Sequence, residues 1–361
     1  MKSKYSSFLA PALFALLRAS TPGALSRDRQ APDSPSTSGR QQPRDAGLAQ
    51  RRQALTHLIA EQKFEQAEAA LESEPALLEE KDELSLTVLH TAVLGGPVKA
   101  SVPFITWLLA HGANPNATAS DGTTPLMLAV RSEELPPVIA LLQGGSDPAM
   151  RDAHGFTALS IAASLDSDQI ARELMKAGAE PDLFQAAELG LTDRLTALLH
   201  NDPHLLEARD EITHSTALLL AATHRRHEAV RLLLSFHPSL DVYSAAATGQ
   251  IEFLQSHLSK DDPAVNARDP FTRQTPLLMA VQGGDLNTIR LLLDYGAEVN
   301  AGLKGPMAGS PLAAAIQCGD KEAARLLVER GADTKHFYPG FGNAYAMALA
   351  RHRPDIAELV K

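Results

Sequence analysis

The residues that come nearest to a chemical constellation are His224 and His227, which flank Arg225-Arg226. On a helix their i, i+3 spacing puts two imidazoles on one face, where both could reach a single metal ion. A third ligand is not near in sequence, and His227-Glu228-Ala229-Val230-Arg231 lacks the second histidine of the H-E-x-x-H helix that binds zinc in metalloproteases. Cys318 is the single cysteine, so neither an intramolecular disulfide nor a multi-cysteine zinc site can be assembled. Gly340-Phe341-Gly342 lacks the third glycine and the preceding strand of a dinucleotide fingerprint, and neither G-x-S-x-G nor G-x-x-x-x-G-K-[ST] occurs. These residue types in these patterns point away from catalysis, a resident metal or a cofactor, and towards binding.

The elements that must position a binding surface are clearest from Thr275 to Ala301. Thr275 can cap a helix and Pro276 fits its first position, where no N–H is needed. The helix carries Leu277, Leu278, Ala280 and Val281 and stops at Gly283-Gly284, where a glycine can adopt the left-handed conformation that ends helices. Asp285 caps a second helix with an apolar stripe of Ile289, Leu291, Leu292 and Leu293, which ends before Gly296. A pair of helices this short cannot bury both apolar faces alone, so it needs neighbours stacked on either side.

This unit resembles the ankyrin repeat, T-P-L-H-x-A-A-x-x-G-x-x-x-x-V-x-x-L-L-x-x-G-A-x-x-N, at Thr275, Pro276, Leu277, Ala280, Gly284, Leu291, Leu292, Gly296, Ala297 and Asn300. The resemblance implies an all-α solenoid of helix-turn-helix units with short β-hairpin fingers between them, and binding of other proteins through fingers and inner helices. Units aligned on Thr275 begin at Gln53, Thr87, Thr124, Thr157, Pro181, Thr216, Leu240, Thr275, Ser310 and Asn343, about ten in all, which sets an ankyrin-repeat domain over 53–361. Most intervals match the family period of roughly 33 residues. The units at Pro181 and Leu240 follow after only 24 residues, which leaves no room for an incoming finger. The units at Gln53, Pro181 and Leu240 share one exit loop: Glu74-Pro75 to Asp82, Asp202-Pro203 to Asp210, and Asp262-Pro263 to Asp269. Proline there stops a helix and the closing aspartate opens a turn. An array headed by such degenerate units looks like many bacterial ankyrin proteins. An insertion at Pro97 to Ser101 lengthens the Thr87 unit, and Trp107 just after it is expected between helices.

The net charge of −10 conceals an asymmetry. Residues 1–52 hold nine Lys/Arg against three Asp/Glu, so the remaining 24 Lys/Arg and 40 Asp/Glu leave the repeat body at −16. Such a field disfavours nucleic acid and favours a basic protein partner. Within the head, Lys2 and Lys4 precede an apolar run from Phe8 to Leu17, with Thr21-Pro22-Gly23 as a small-residue context. That layout over 1–25 resembles an export signal, weakened by Arg18 and Pro11. The run is too short to span a bilayer, so no integral membrane span is expected. Residues 26–50 are rich in Arg, Asp, Ser, Pro, Gln and Gly and read as a disordered linker. Export to the periplasm or a host is the favoured reading; a cytosolic adaptor or inhibitor with a tethered tail is the alternative.

Binding is expected in the finger loops, which run over a rigid scaffold and tolerate variation. The candidate contact residues are Asp121, His154, Phe271 and Arg273, together with Phe337, Tyr338 and Phe341, three of the seventeen aromatic residues within five positions. Rigid aromatics make good interface anchors, but here they could equally cover the end of the core. Arg225 and Arg226, like Arg351-His352-Arg353, make basic spots on an acidic body, either as solvated turns or as partner contacts. His90, in Thr87-Val88-Leu89-His90, is read as a structural hydrogen-bonding residue at a helix start. A monomer is expected.

Overall fold

Thr-Pro and Ser-Pro pairs start helices here because the hydroxyl takes an otherwise orphaned N–H while proline gives none up. The side chains of Thr124, Thr275 and Ser310 accept from the N–H groups of Met127, Leu278 and Ala313, each with proline at the first helical position. Asp182 and Asp241 do the same without proline and form capping boxes with Gln185 and Ser244. The computed structural model describes residues 44–95, 100–302, 309–338 and 340–361. The expected export signal, most of the expected linker, most of the insertion after Gly95 and the loop from 303 to 308 lie outside the described residues.

The chain forms two compact units, one ending at Ala179 and one beginning at Glu180, the point at which the first short interval falls. In the first unit the helices come in pairs: α1 (Arg44–Ala60) with α2 (Phe64–Ser73), α3 (Val88–Leu94) with α4 (Val102–Ala110), α5 (Pro125–Arg131) with α6 (Leu135–Gln143), and α7 (Ala158–Ser164) with α8 (Asp168–Lys176). First helices stack in series from α1 to α7, and second helices from α4 to α8. Between them lie Leu55, Leu71, Leu89, Phe104, Leu126, Leu141 and Leu159, all fully buried. Trp107 is half-buried against Phe104 and His111, with ring centroids 6.3 and 3.8 Å away. Arg52 is also fully buried. Its guanidinium is absorbed by the carbonyls of Glu80 and Leu86 and the hydroxyls of Thr56 and Thr91 at 2.5–3.3 Å.

The second unit holds α9 (Leu183–Leu189) with α10 (Thr192–Asn201), α11 (Ala217–Thr223) with α12 (His227–Ser235), α13 (Val242–Thr248) with α14 (Ile251–His257), α15 (Pro276–Gly283) with α16 (Leu286–Asp294), α17 (Pro311–Cys318) with α18 (Lys321–Glu329), and α19 (Ala344–Ala350) with α20 (Pro354–Ala357). Each unit is thus an all-α stack of helix pairs. The three proline exits are short 3-10 turns at Pro75–Leu78, Pro203–Glu207 and Pro263–Asn266. The short-spaced repeat built on α13 is also thin. Its inward residues are Ala245, Ala246 and Ala247, so α11 and α15 touch each other across it as well as touching α13. Gly283 lies so close that a Cβ there would meet the Ala247 carbonyl oxygen at 1.9 Å.

Candidate protein-binding edge

Among the described finger loops, five are each organised by one aspartate. In the first unit Asp82 Oδ1 accepts the N–H groups of Leu84 and Leu86, Asp121 Oδ1 that of Thr123, and Asp152 Oδ1 those of His154 and Phe156, all at 2.9 Å. In the second unit Asp210 Oδ1 holds Ile212 and Thr213, and Asp269 Oδ2 holds both donors of Thr272. These side chains imitate a backbone turn and fix the loop before any strand pairing is needed. The pairing is accordingly slight: among the described residues it amounts to single bridges, Arg209 with Thr216 and Tyr338 with Gly342. The hairpins implied by the family resemblance are therefore tight aspartate turns here.

Successive fingers of the first unit are tied to one another. Ser120 N donates to Leu84 O at 3.1 Å and Ala153 N to Asp121 O at 2.8 Å. Asp152, buried, also takes Arg131 Nη2 at 3.1 Å. Asp121 and His154 are exposed on this rigid row. In the second unit the row is interrupted, because residues 236–241 pass from α12 directly into α13 without a finger. The flanking fingers approach across the interruption: Arg209 Cζ lies 4.0 Å from the centre of the Phe271 ring, a cation–π contact. Beneath it is a cleft of about 190 Å³ lined by Leu206, Leu218, Leu240, Asp241, Tyr243 and Asp269 among others.

Four of the fingers carry an exposed apolar side chain. Among the described residues the exposed large hydrophobics are Leu84, Ile212, Phe271, Phe337 and Leu349, and all but Leu349 sit in fingers. Arg273 is exposed beside Phe271, with a left-handed backbone (φ 62°) that its N–H bond to Asp269 O stabilises. The aromatic trio of the last finger is divided. Phe337 is 69% exposed, whereas Tyr338 is 4% exposed with its hydroxyl 2.9 Å from Ser310 Oγ. Phe341 is half-buried under the Arg351 guanidinium. Arg225 and Arg226 are turned inward: Arg225 donates to the carbonyls of Val281 and Gln282 and Arg226 to that of Glu188. Ile212 lies within the candidate finger loop 211–214, whereas Leu84 lies outside the candidate loops, and a large apolar residue inside a polar turn is the sequence signal for each. Among the described residues no group of three His, Cys, Asp or Glu is placed to hold a metal, and no helix is long and apolar enough to cross a membrane.

Comparison with known proteins bears on the same segments. A family profile described as "Ankyrin repeats (3 copies)" matches residues 89–185 and 242–337, more than half of the chain. The chain is 26% identical over 220 residues to "Putative palmitoyltransferase ZDHHC13" of Danio rerio, a match covering 61% of this chain and 26% of that protein. It is 32% identical over 133 residues to human "BCL-6 corepressor-like protein 1", covering 34% of this chain and 7% of the relative. Over 92 residues it is 35% identical to human "DNA-binding protein RFXANK", covering 26% and 34% of the two. The chain thus spans between 7% and 34% of the length of these relatives.

Proposed function

The chain belongs to the ankyrin-repeat family, and from that premise we propose that it is a non-catalytic module that binds a protein partner through the finger loops of its second unit. The observation that carries this reading is the placement of Ile212, Phe271 and Phe337, apolar and exposed, on finger tips of the second unit held by aspartate turns of Asp210, Asp269 and Asp333. Exposed apolar and aromatic tips on a pre-ordered scaffold are where binding energy concentrates. The relatives bear names as different as a palmitoyltransferase, a corepressor-like protein and a DNA-binding protein, and each matches this chain over about a third of its own length or less.

The acid excess of the repeat body favours a basic partner surface, and the basic head with its apolar run favours export from a bacterial cell over a cytosolic adaptor. The test is affinity capture with the full chain beside a variant in which the three tips, Ile212, Phe271 and Phe337, are serine. The reading expects a stoichiometric partner lost from the variant while its melting temperature stays within a degree or so of wild type. Equal capture by both proteins would sink the finger reading. For export, a reporter fused after Gln50 should leave the cytosol, and its retention would select the adaptor alternative.

A further inference from the structure

We propose that the cleft left by the missing finger, between the fingers at 210–215 and 269–274, is a subsite for one arginine or lysine side chain of an extended segment of the partner. The inference rests on the finger reading and adds to it the chemistry of a single contact.

The cleft is a consequence of chain length. Residues 236–241 are too few to build a finger, so the two neighbouring fingers overhang a space of about 190 Å³. Its lining includes the apolar side chains of Leu206, Leu218 and Leu240. It also includes carboxylates that are not saturated. Asp269 is buried, yet both donors of Thr272 go to its Oδ2, at 2.8 and 2.6 Å. Asp241 caps α13 through Oδ1 alone, which takes both the N–H and the hydroxyl of Ser244 at 2.7 Å. Each carboxylate therefore keeps one oxygen for a donor from outside. The Tyr243 hydroxyl sits among these groups, and burial followed by the charges of Asp269 and Asp241 pushes its pKa up, so it remains a protonated donor.

The charges lining the cleft are Glu207, Asp241 and Asp269 against Arg209. Glu207 is engaged through Oε1 by the N–H of Ser239 at 2.7 Å. Arg209 does not neutralise the carboxylates by contact, because its guanidinium faces Phe271 and donates to the His214 carbonyl at 2.9 Å. A buried carboxylate beside an apolar wall is complemented by a long cationic side chain, whose stem lies on the leucines while its head bonds the open oxygens. A neutral or anionic group would leave that charge uncompensated on desolvation, which is costly. The surrounding negative field draws a cation in and repels an anion.

The test uses the full chain and a displayed library of random dodecamer peptides. Enriched peptides are expected to contain a basic residue whose replacement by glutamine weakens binding at least about tenfold, with affinity falling as salt rises. Ser239→Trp places a large ring in the cleft from an exposed position, and Asp241→Asn removes a charge while keeping a good helix cap. Both should weaken these peptides to a similar degree. Should Ser239→Trp fail to fold, Asp241→Asn still decides, with circular dichroism melts confirming that it is intact. Peptides indifferent to their basic residue, or bound equally by the folded cleft variants, overturn the inference. If those peptides are nonetheless lost on combining Ile212→Ser with Phe271→Ser, the finger reading survives without the subsite. Peptides insensitive to both sets of changes, or a library yielding no binder, count against both.

Discussion

Arg225 places its guanidinium 3.0 Å from the Asp320 carboxylate, 95 residues further along the chain and beyond the whole short repeat of α13 and α14. The same group donates to Val281 O and Gln282 O at 3.0 Å each, at the end of α15. Asp320 divides its oxygens, capping α18 with Oδ1 and receiving Arg225 on Oδ2. The thin alanine face of α13 permits this, since it lets α11 approach α15 closely enough for one side chain to link three helix pairs.

Arg225→Gln should therefore lower the stability of the second unit by about 2–3 kcal/mol, because it strips two helix carbonyls and a carboxylate of charged donors at a mostly buried site. Lysine cannot reproduce the fork that serves three acceptors. Urea unfolding should show Arg225→Lys recovering less than half of the loss; full recovery would mean that charge alone matters.

Gly283→Ala is expected to destabilise, against the usual rule. A glycine inside a helix normally costs about 1 kcal/mol relative to alanine. Here the added methyl would press on the Ala247 carbonyl oxygen at 1.9 Å, and overpacking of that kind costs about 1–3 kcal/mol. A melting temperature at or above wild type would show that α13 and α15 can part without loss.

His90 links stability to pH. Thr87 N donates to its Nδ1 at 3.1 Å, so Nε2 carries the proton and donates to Thr123 O at 3.2 Å. Burial, only partly offset by the Thr123 carbonyl, holds its pKa below the ordinary histidine value. Above the unfolded-state pKa of about 6.5 the neutral ring is favoured in both states and the contribution is complete. As pH falls below that value, the unfolded chain takes up a proton that the folded one resists, and stability is lost. The first unit should lose stability between neutral pH and pH of about 5.5. His90→Gln should flatten this dependence while keeping the cap, as Gln185 does beside Asp182. An unchanged pH profile in that variant would remove His90 as the cause.

What could be read in the sequence was local. Thr275-Pro276, the three proline exits and the short approach to α13 each declare themselves within a few residues, because capping, helix breaking and chain length act over that range. The direction taken by Arg225, Arg226 and Arg52 could not be read in the same way. An arginine at a turn looks like a surface cation, and Arg52 fell within the basic head by count. Their acceptors, Val281, Glu188 and Leu86, lie 56, 38 and 34 residues away and are supplied by stacking. The cleft was half legible: the absent finger showed in the spacing, but not the overhang of Arg209 on Phe271 or the open oxygens beneath.

The last finger separates binding from stability within two adjacent residues. Tyr338 is 4% exposed and its hydroxyl bonds Ser310, itself the cap of α17, so Tyr338→Phe leaves a buried hydroxyl short of a partner and should cost about 1 kcal/mol or a little more. Phe337 is 69% exposed, and Phe337→Ser should change stability by less than about 0.5 kcal/mol. Binding should respond in the opposite order: Phe337→Ser weakens capture of the partner, and Tyr338→Phe leaves it intact so long as the unit is folded. Chemical denaturation of the two variants beside quantitative capture resolves the pair. Loss of binding in the tyrosine variant at full folding, with none in Phe337→Ser, would place the contact in the body of the finger instead of its tip.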